Sequence, residues 1–450
     1  MSGRQLSNRT FIAVGALLVL MGWAWLAPTG RIAAGQAGSG EIWVEIKGRL
    51  GQRIRIAVPD FVPGSRRAVT TVGRYVADVI SYDLDFSGYF EVMDRLQYPP
   101  DFTVFDPNPR RIDFGRWSEV RARDLVHGVY GVRGDQIELE CRLFDVQGGR
   151  QIIGKGYKGE SKILRRMAHR FADEVVLAHT GRLGIAHTHM AFTSTSTGTK
   201  EIFICDYDGE NVRQLTNHGS ITLSPTWSPD ATKLAYTSYA AGNPDMYVIN
   251  ADGSSPTMVA GYHGLNTAPD WSPTGDTIAV TLSKDGNSEI YLQEAAGKRI
   301  RRVTYDEAID TSPSFSPDGT SIAFVTDRAG SPQIWVVDID GRNLRRISYQ
   351  GGRSFSPAWS PRGDKIAYVV ELPGEGLQLF VMDADGRNPV QLTSGPGWNQ
   401  EPSWSPNGTH IAFSSTRAGR SNVYTMRSDG SDVRRISFLG GENGAPAWSR

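Results

Sequence analysis

Cysteine is almost absent: the 450 residues include two, Cys141 and Cys205. They sit 64 positions apart (205 − 141) in no CxxC or metal-ligand spacing. That excludes a disulfide-built or zinc-built fold, and both read as small buried hydrophobes. An excess of either charge is also lacking, since 48 Lys and Arg balance 48 Asp and Glu. With no basic stripe and no nucleic-acid motif, the electrostatic footprint of a nucleic-acid binder is missing. No Gly-x-Ser-x-Gly elbow occurs, which removes the nucleophile motif of an α/β-hydrolase. His187-x-His189 is the nearest approach to a metal pair, and no carboxylate or cysteine beside it completes a ligand set. The expectation is a protein without catalytic residues, cofactor or resident metal.

What is abundant is glycine, at 50 residues, spaced with proline at turn positions rather than gathered in one linker. Such punctuation indicates many short strands. The N-terminus reads differently. Arg4 and Arg9 precede an apolar run from Phe11 to Leu26, and Gly35-Gln36-Ala37 offers small residues for cleavage. This is the pattern of a secretory signal peptide over residues 1–37. An uncleaved anchor is the alternative, although the run is short for a membrane span. The mature chain is expected to start at Gly38 and to be soluble and exported.

A phrase of Pro-x-aromatic-Ser recurs, with its prolines at 225, 269, 313, 357, 402 and 446. The spacings are 44, 44, 44, 45 and 44 residues. A period of this length denotes a solenoid or propeller. Each unit holds four apolar runs, and Ser316-Pro317-Asp318-Gly319 joins the first two by a type I turn. Asp340-Gly341 joins the last two as a tight hairpin. The sixth unit stops at Arg450, and its three missing strands are found at Met190–Phe192, Ile202–Cys205 and Arg213–Thr216. The last strand is therefore expected to complete the first blade, closing six blades into a ring without exposed edges. The one extra residue falls within Glu371–Gln378, a loop.

Residues 38–182 form a separate α/β domain in this reading, and 183–450 the propeller. Strands are expected at Ile54–Val58, Phe90–Met93, Val126–Val132 and Gln136–Val146. Helices are expected from Arg66 to Tyr82 and from Leu164 to Thr180, with a loop over Asp101–Asp113. The repeated tryptophans keep one register with Phe315, so they read as blade packing. The aspartates of the Ser-Pro-Asp-Gly turns read as turn residues. Function is left to the segments that vary. The loops before each Pro-x-aromatic lie on one face with those that follow each Ile-Ala-aromatic run. A partner should dock there, with Trp398 exposed by position.

The Pro-x-Trp-Ser repeats, the preceding α/β domain and the leader together resemble the TolB family of the Tol-Pal envelope system. The resemblance covers essentially the whole chain. It implies a non-enzymatic, monomeric periplasmic scaffold. It implies binding of the peptidoglycan-associated lipoprotein, Pal, on the propeller face around the channel. By position this face includes Asn266, Thr267, Ala268, Asp310, Thr311, Ser312, Phe355, Trp398, Asn399 and Glu401. Ala268 and Thr311 match family loop residues, whereas Leu265 stands where the family has a histidine. The resemblance further implies that TolA binds the mature N-terminal segment, here Glu41, Ile42, Trp43, Val44, Glu45 and Ile46. The role implied is outer-membrane integrity and envelope constriction during cell division. The other reading is a periplasmic propeller enzyme or carbohydrate binder using the channel, for which the innermost strands offer Asp270 and little else charged.

Overall fold

The computed structural model describes residues 53–64, 71–100, 102, 106–395 and 397–450. The α/β part comprises β1 (Ile54–Ala57), β2 (Val62–Pro63), α1 (Thr71–Ser87), β3 (Phe90–Val92), α2 (Phe114–Glu119), β4 (Asp124–Arg133), β5 (Gln136–Asp145), β6 (Arg150–Glu160) and α3 (Leu164–Thr180). Its sheet runs β3-β1-β4-β5-β6, with β2 paired to β4. α1 and α3 share one face, where Val76, Ile80, Leu84, Phe171 and Val175 bury their apolar stripes with Leu139, Cys141 and Leu143. The other face is covered by Met93, Trp117 and Ala122 packed with Leu125 and Phe144. α3 stops at Gly181, whose φ of +69° and N–H to the Leu177 carbonyl make a left-handed cap. Cys141 and Cys205 are free thiols buried in the two cores.

Two expectations need correction here. α1 continues to Ser87 rather than ending at Tyr82, and its expected start at Arg66 lies outside the described residues. β6 was not expected, because Gly154, Gly156 and Gly159 interrupt its pattern and most of its side chains face solvent.

Six four-stranded antiparallel sheets follow. Their innermost strands are Asn443–Trp448, Thr222–Trp227, Asn266–Trp271, Asp310–Phe315, Ser354–Trp359 and Asn399–Trp404, here blades 1 to 6 in that order. Blade 1 pairs Asn443–Trp448 with His189–Ser194, so the C-terminal strand does close the ring. The extra residue of blade 5 lengthens a hairpin between Lys365–Leu372 and Gly376–Asp383.

The repeat phrase has a physical reason at each position. The Trp227 and Trp404 indoles donate to the Ala447 and Ala358 carbonyls of the preceding blade, at 3.0 and 2.9 Å. The residue before each aromatic lies on the channel. There Asp270 and Ser314 accept the backbone N–H of the next blade's Phe315 and Trp359. In the Ser-Pro-Asp-Gly turn, Ser316 donates to Asp318 at 2.6 Å, and Asp318 accepts the Thr320 N–H. Those bonds hold the Asp318 carboxyl below its ordinary range. Gly319, at φ +71°, takes the left-handed position.

The α/β part packs on the tight-turn face. Tyr207, just past the third strand of blade 1, donates to Asp83 of α1 at 2.6 Å, and His169 of α3 meets the same carboxylate at 2.8 Å. Phe86 stacks on His410 with ring centroids 4.4 Å apart, and the His410 Nε2 bonds the Phe86 carbonyl at 3.0 Å. Burial pushes His410 down to about 4, so its ring is neutral. Arg434 reaches Asp85 at 2.7 Å. Arg165 of α3 is ion-paired to Asp208.

Candidate functional site

With the α/β part on the tight-turn side, the opposite face presents only the variable loops among the described residues. Every innermost strand starts on that face and meets a bulge at once. The register shifts between Thr267 and Asp270, between Thr311 and Ser314, and at the matching place in each other blade. The residue before proline is left-handed in all six: Ser224, Ala268, Ser312, Ser356, Glu401 and Ala445, with φ from 45° to 56°. A proline disfavours the α region for its predecessor, and a non-glycine residue in this conformation costs about 1–2 kcal/mol. Surrounding bonds hold the bulge in place. The Ser312 N–H donates to Thr281 at 3.2 Å, and the Ala445 N–H donates to Glu401 at 2.7 Å. The bulges bend the strands into a mouth.

One residue before each innermost strand forms a second ring: Glu442, Ile221, Leu265, Ile309, Arg353 and Trp398. Backbone bonds fix its members to the adjacent loop, as from the Tyr239 N–H to the Ile221 carbonyl and from Ser283 to Leu265. The four apolar members are 50, 41, 53 and 57% exposed for Ile221, Leu265, Ile309 and Trp398 respectively. Outside this ring stand Tyr305, Tyr349 and Phe438, exposed and backed by the guanidinium groups of Arg302, Arg346 and Arg435 at 4.6, 4.8 and 5.2 Å. Those guanidiniums also donate to the Thr304, Ser348 and Ser437 carbonyls, which pre-orders each loop.

The ten residues expected on this face divide into two groups. Asn266, Asp310 and Asn399 are buried beneath the mouth. Asn266 accepts the Tyr262 N–H, Asp310 takes a two-pronged contact from Arg328 at 3.0 and 2.8 Å, and Asn399 accepts from Ser415 and Arg417. They position loops. Thr267, Ala268, Thr311, Ser312, Phe355 and Glu401 are half-buried around the mouth, and Trp398 is exposed. Ile221, Ile309 and the three aromatics are not singled out by the sequence reading, and Leu265 enters it only as a departure from the family pattern. Aligning the repeats on the residue before the innermost strand would have revealed the ring.

The channel beneath encloses about 210 Å³ and is walled by the prolines and aromatics of the repeats. Asp270 and Arg450 are its only charged lining residues among those described. Asp270 keeps a small channel-facing surface, and lost hydration pushes its carboxyl up to about 6. His187 and His189 do not converge: His187 meets Asp173, while His189 lies 3.8 Å from Asp206. The segment Glu41–Ile46 lies outside the described residues.

Comparison with known proteins now bears on this geometry. A model described as the TolB beta propeller domain matches residues 177–375 and 352–450, and one for the TolB amino-terminal domain matches 42–152. The chain belongs to the TolB family. A relative from Syntrophotalea carbinolica named Tol-Pal system protein TolB is 38% identical over 42% of this chain and 44% of its own length. One of the same name from Desulfosudis oleivorans is 41% identical over 42% of this chain and 43% of its own. The matched stretch thus spans less than half of either curated relative. The crystal structure of TolB from Acinetobacter baumannii superposes with a TM-score of 0.76 at 26% identity, covering 88% of this chain and 97% of that one. An N-terminal α/β domain followed by a six-bladed propeller is therefore the TolB-family architecture.

Proposed function

We propose that this TolB-family chain is a non-enzymatic scaffold of the Tol-Pal system whose variable-loop face binds Pal. The observation that carries this reading is the ring of Ile221, Leu265, Ile309 and Trp398 around a mouth left open by the α/β part. Exposed apolar residues gathered at one concave mouth and interspersed with polar ones, here Arg353 and Glu442, suit a protein-binding surface. Aromatic residues already pinned on arginines lose little entropy on docking. The channel, with a single carboxylate, lacks the convergent groups that a hydrolase or a carbohydrate site needs.

Calorimetric titration of residues 38–450 with the soluble Pal domain tests the reading. Ile309→Asp and Trp398→Asp should each weaken binding about tenfold or more, as expected for central apolar contacts. Thr311→Trp should obstruct the mouth likewise. Unchanged affinity in all three would move the site off this face.

In the same reading, residues 1–37 direct export and the chain works in the periplasm. No helix among the described residues is long and apolar enough to cross a membrane. TolA takes the segment beginning at Glu41, which links the complex to envelope constriction and outer-membrane integrity. Removing residues 38–46 should abolish TolA binding and leave Pal binding intact. Loss of both would contradict separate sites.

A further inference from the structure

On the tight-turn face, where the chain leaves α3 for the propeller, lies a cleft of about 430 Å³. Arg182, Leu183 and His187 of the connecting segment form one wall, and Arg362, Asn407 and Arg450 of the propeller form the other. Arg182, Arg362 and Arg450 are all exposed, and none has an acidic partner within ion-pair distance among the described residues. Arg362 is held by a bond from its Nε to the Asn407 carbonyl at 2.9 Å. His187 is already committed to Asp173.

The repeat makes these arginines stand out. The third residue of the turn after each innermost strand is Asp230 in blade 2 and Asp318 in blade 4, but Arg362 in blade 5 and Asn407 in blade 6. Arg450 likewise occupies the position where the other five repeats have proline. Two departures from the repeat thus introduce arginine, and both face this cleft. Guanidinium groups stay charged at any ordinary pH. Arg450 also lines the channel, where Asp270 attracts it, whereas Arg182 and Arg362 have no acidic group within ion-pair distance among the described residues. Beside them Leu183 is 51% exposed and Pro406 adds further apolar surface.

We propose that this cleft is an anion-binding site, taking a carboxylate or phosphate group attached to an apolar body. The arginines supply forked donors that match such a group, and Leu183 with Pro406 covers the body. An occupant would bridge the connecting segment and blades 5, 6 and 1. This site is independent of the Pal-binding face.

The test is titration of the full chain with octanoate, followed by the Nε–H resonances of arginine. Octanoate should shift the Arg182, Arg362 and Arg450 signals, and inorganic phosphate should compete with it. Arg182→Gln and Arg362→Gln should each weaken binding about tenfold, the scale of a charge-assisted hydrogen bond. Arg345→Gln removes an exposed arginine elsewhere and should leave binding unchanged, and melting temperatures identify any variant that misfolds. No octanoate binding, or binding equally indifferent to Arg182→Gln and Arg362→Gln, would overturn the proposal.

Discussion

Asp83 shows how much one residue can depend on distant partners. It is enclosed where α1, α3 and blade 1 meet, and burial pushes its carboxyl up to about 6 despite the opposing pull of His169 and Tyr207. His169 is raised in turn by Asp83, against its own burial, with Asp208 helping and Arg165 opposing. A raised carboxyl and a raised imidazole both keep protons that the unfolded chain releases. Their contribution is therefore full below the unfolded carboxyl value, near 4, and is lost as pH rises through about 6 for Asp83 and beyond 6.5 for His169. His410, lowered to about 4, works in the opposite direction, gaining stability as pH rises from 4. The informative quantity is thus the difference between proteins. In urea unfolding from pH 4.5 to 8, Asp83→Asn should lose the decline with pH that the parent owes to this pair. Parallel profiles would show that the pair does not titrate with folding.

Asp83 also explains a limit of the sequence. An aspartate in the apolar stripe of α1 resembles a helix end, and it is satisfied by His169 and Tyr207, 86 and 124 residues later. The turn aspartates were legible for the converse reason, because Ser316, Asp318 and Thr320 satisfy one another locally. Asp310 is a harder case. It is fully buried beside Arg328, whose side chain is 11% exposed. Breaking a buried pair from one side costs about 3–5 kcal/mol, and Asp306 at 3.6 Å remains to compensate in part. Asp310→Ala should therefore lower stability by about 3 kcal/mol in urea unfolding. A loss well under 1 kcal/mol would mean that the pair holds nothing in place.

At the scale of the element, the unit that recurs is a strand with a left-handed residue before proline. It aims the loops at the mouth, and the sequence signals the proline but not the bulge. A β-branched residue at positive φ is a severe misfit. Ala268→Val should cost about 2 kcal/mol, whereas Thr267→Val on the extended side should cost little, both read from thermal melting. Equal effects would remove the bulge as a constraint. β6 escaped notice for a related reason: an exposed edge strand buries too little to need alternation, so its glycines read as loop. α3 was fully legible, with an apolar stripe of 3.6-residue period and Gly181 to end it.

Over the whole molecule, the ring depends on Asn443–Trp448 joining a strand more than 240 residues earlier, His189–Ser194. The Trp448 indole then bonds Thr188 at 2.8 Å. Removing residues 443–450 should expose the edges of blade 1 and replace one cooperative unfolding transition with a lower, broader one. An unchanged transition would mean that closure adds no stability. Counting the repeats is enough to reach this architecture, because every blade repeats its packing residues. The docking face is less legible, since its apolar members are single residues scattered over four loops and meet only when the ring closes. That face is tested most directly by hydrogen exchange of residues 38–450 with and without the soluble Pal domain. Protection should appear in the loops ending at Ile221, Leu265, Ile309 and Trp398, and the hairpins at Asp208, Asp252 and Asp340 should be unchanged. Protection confined to those hairpins, with the four loops unaffected, would place Pal on the opposite face and contradict the proposed function.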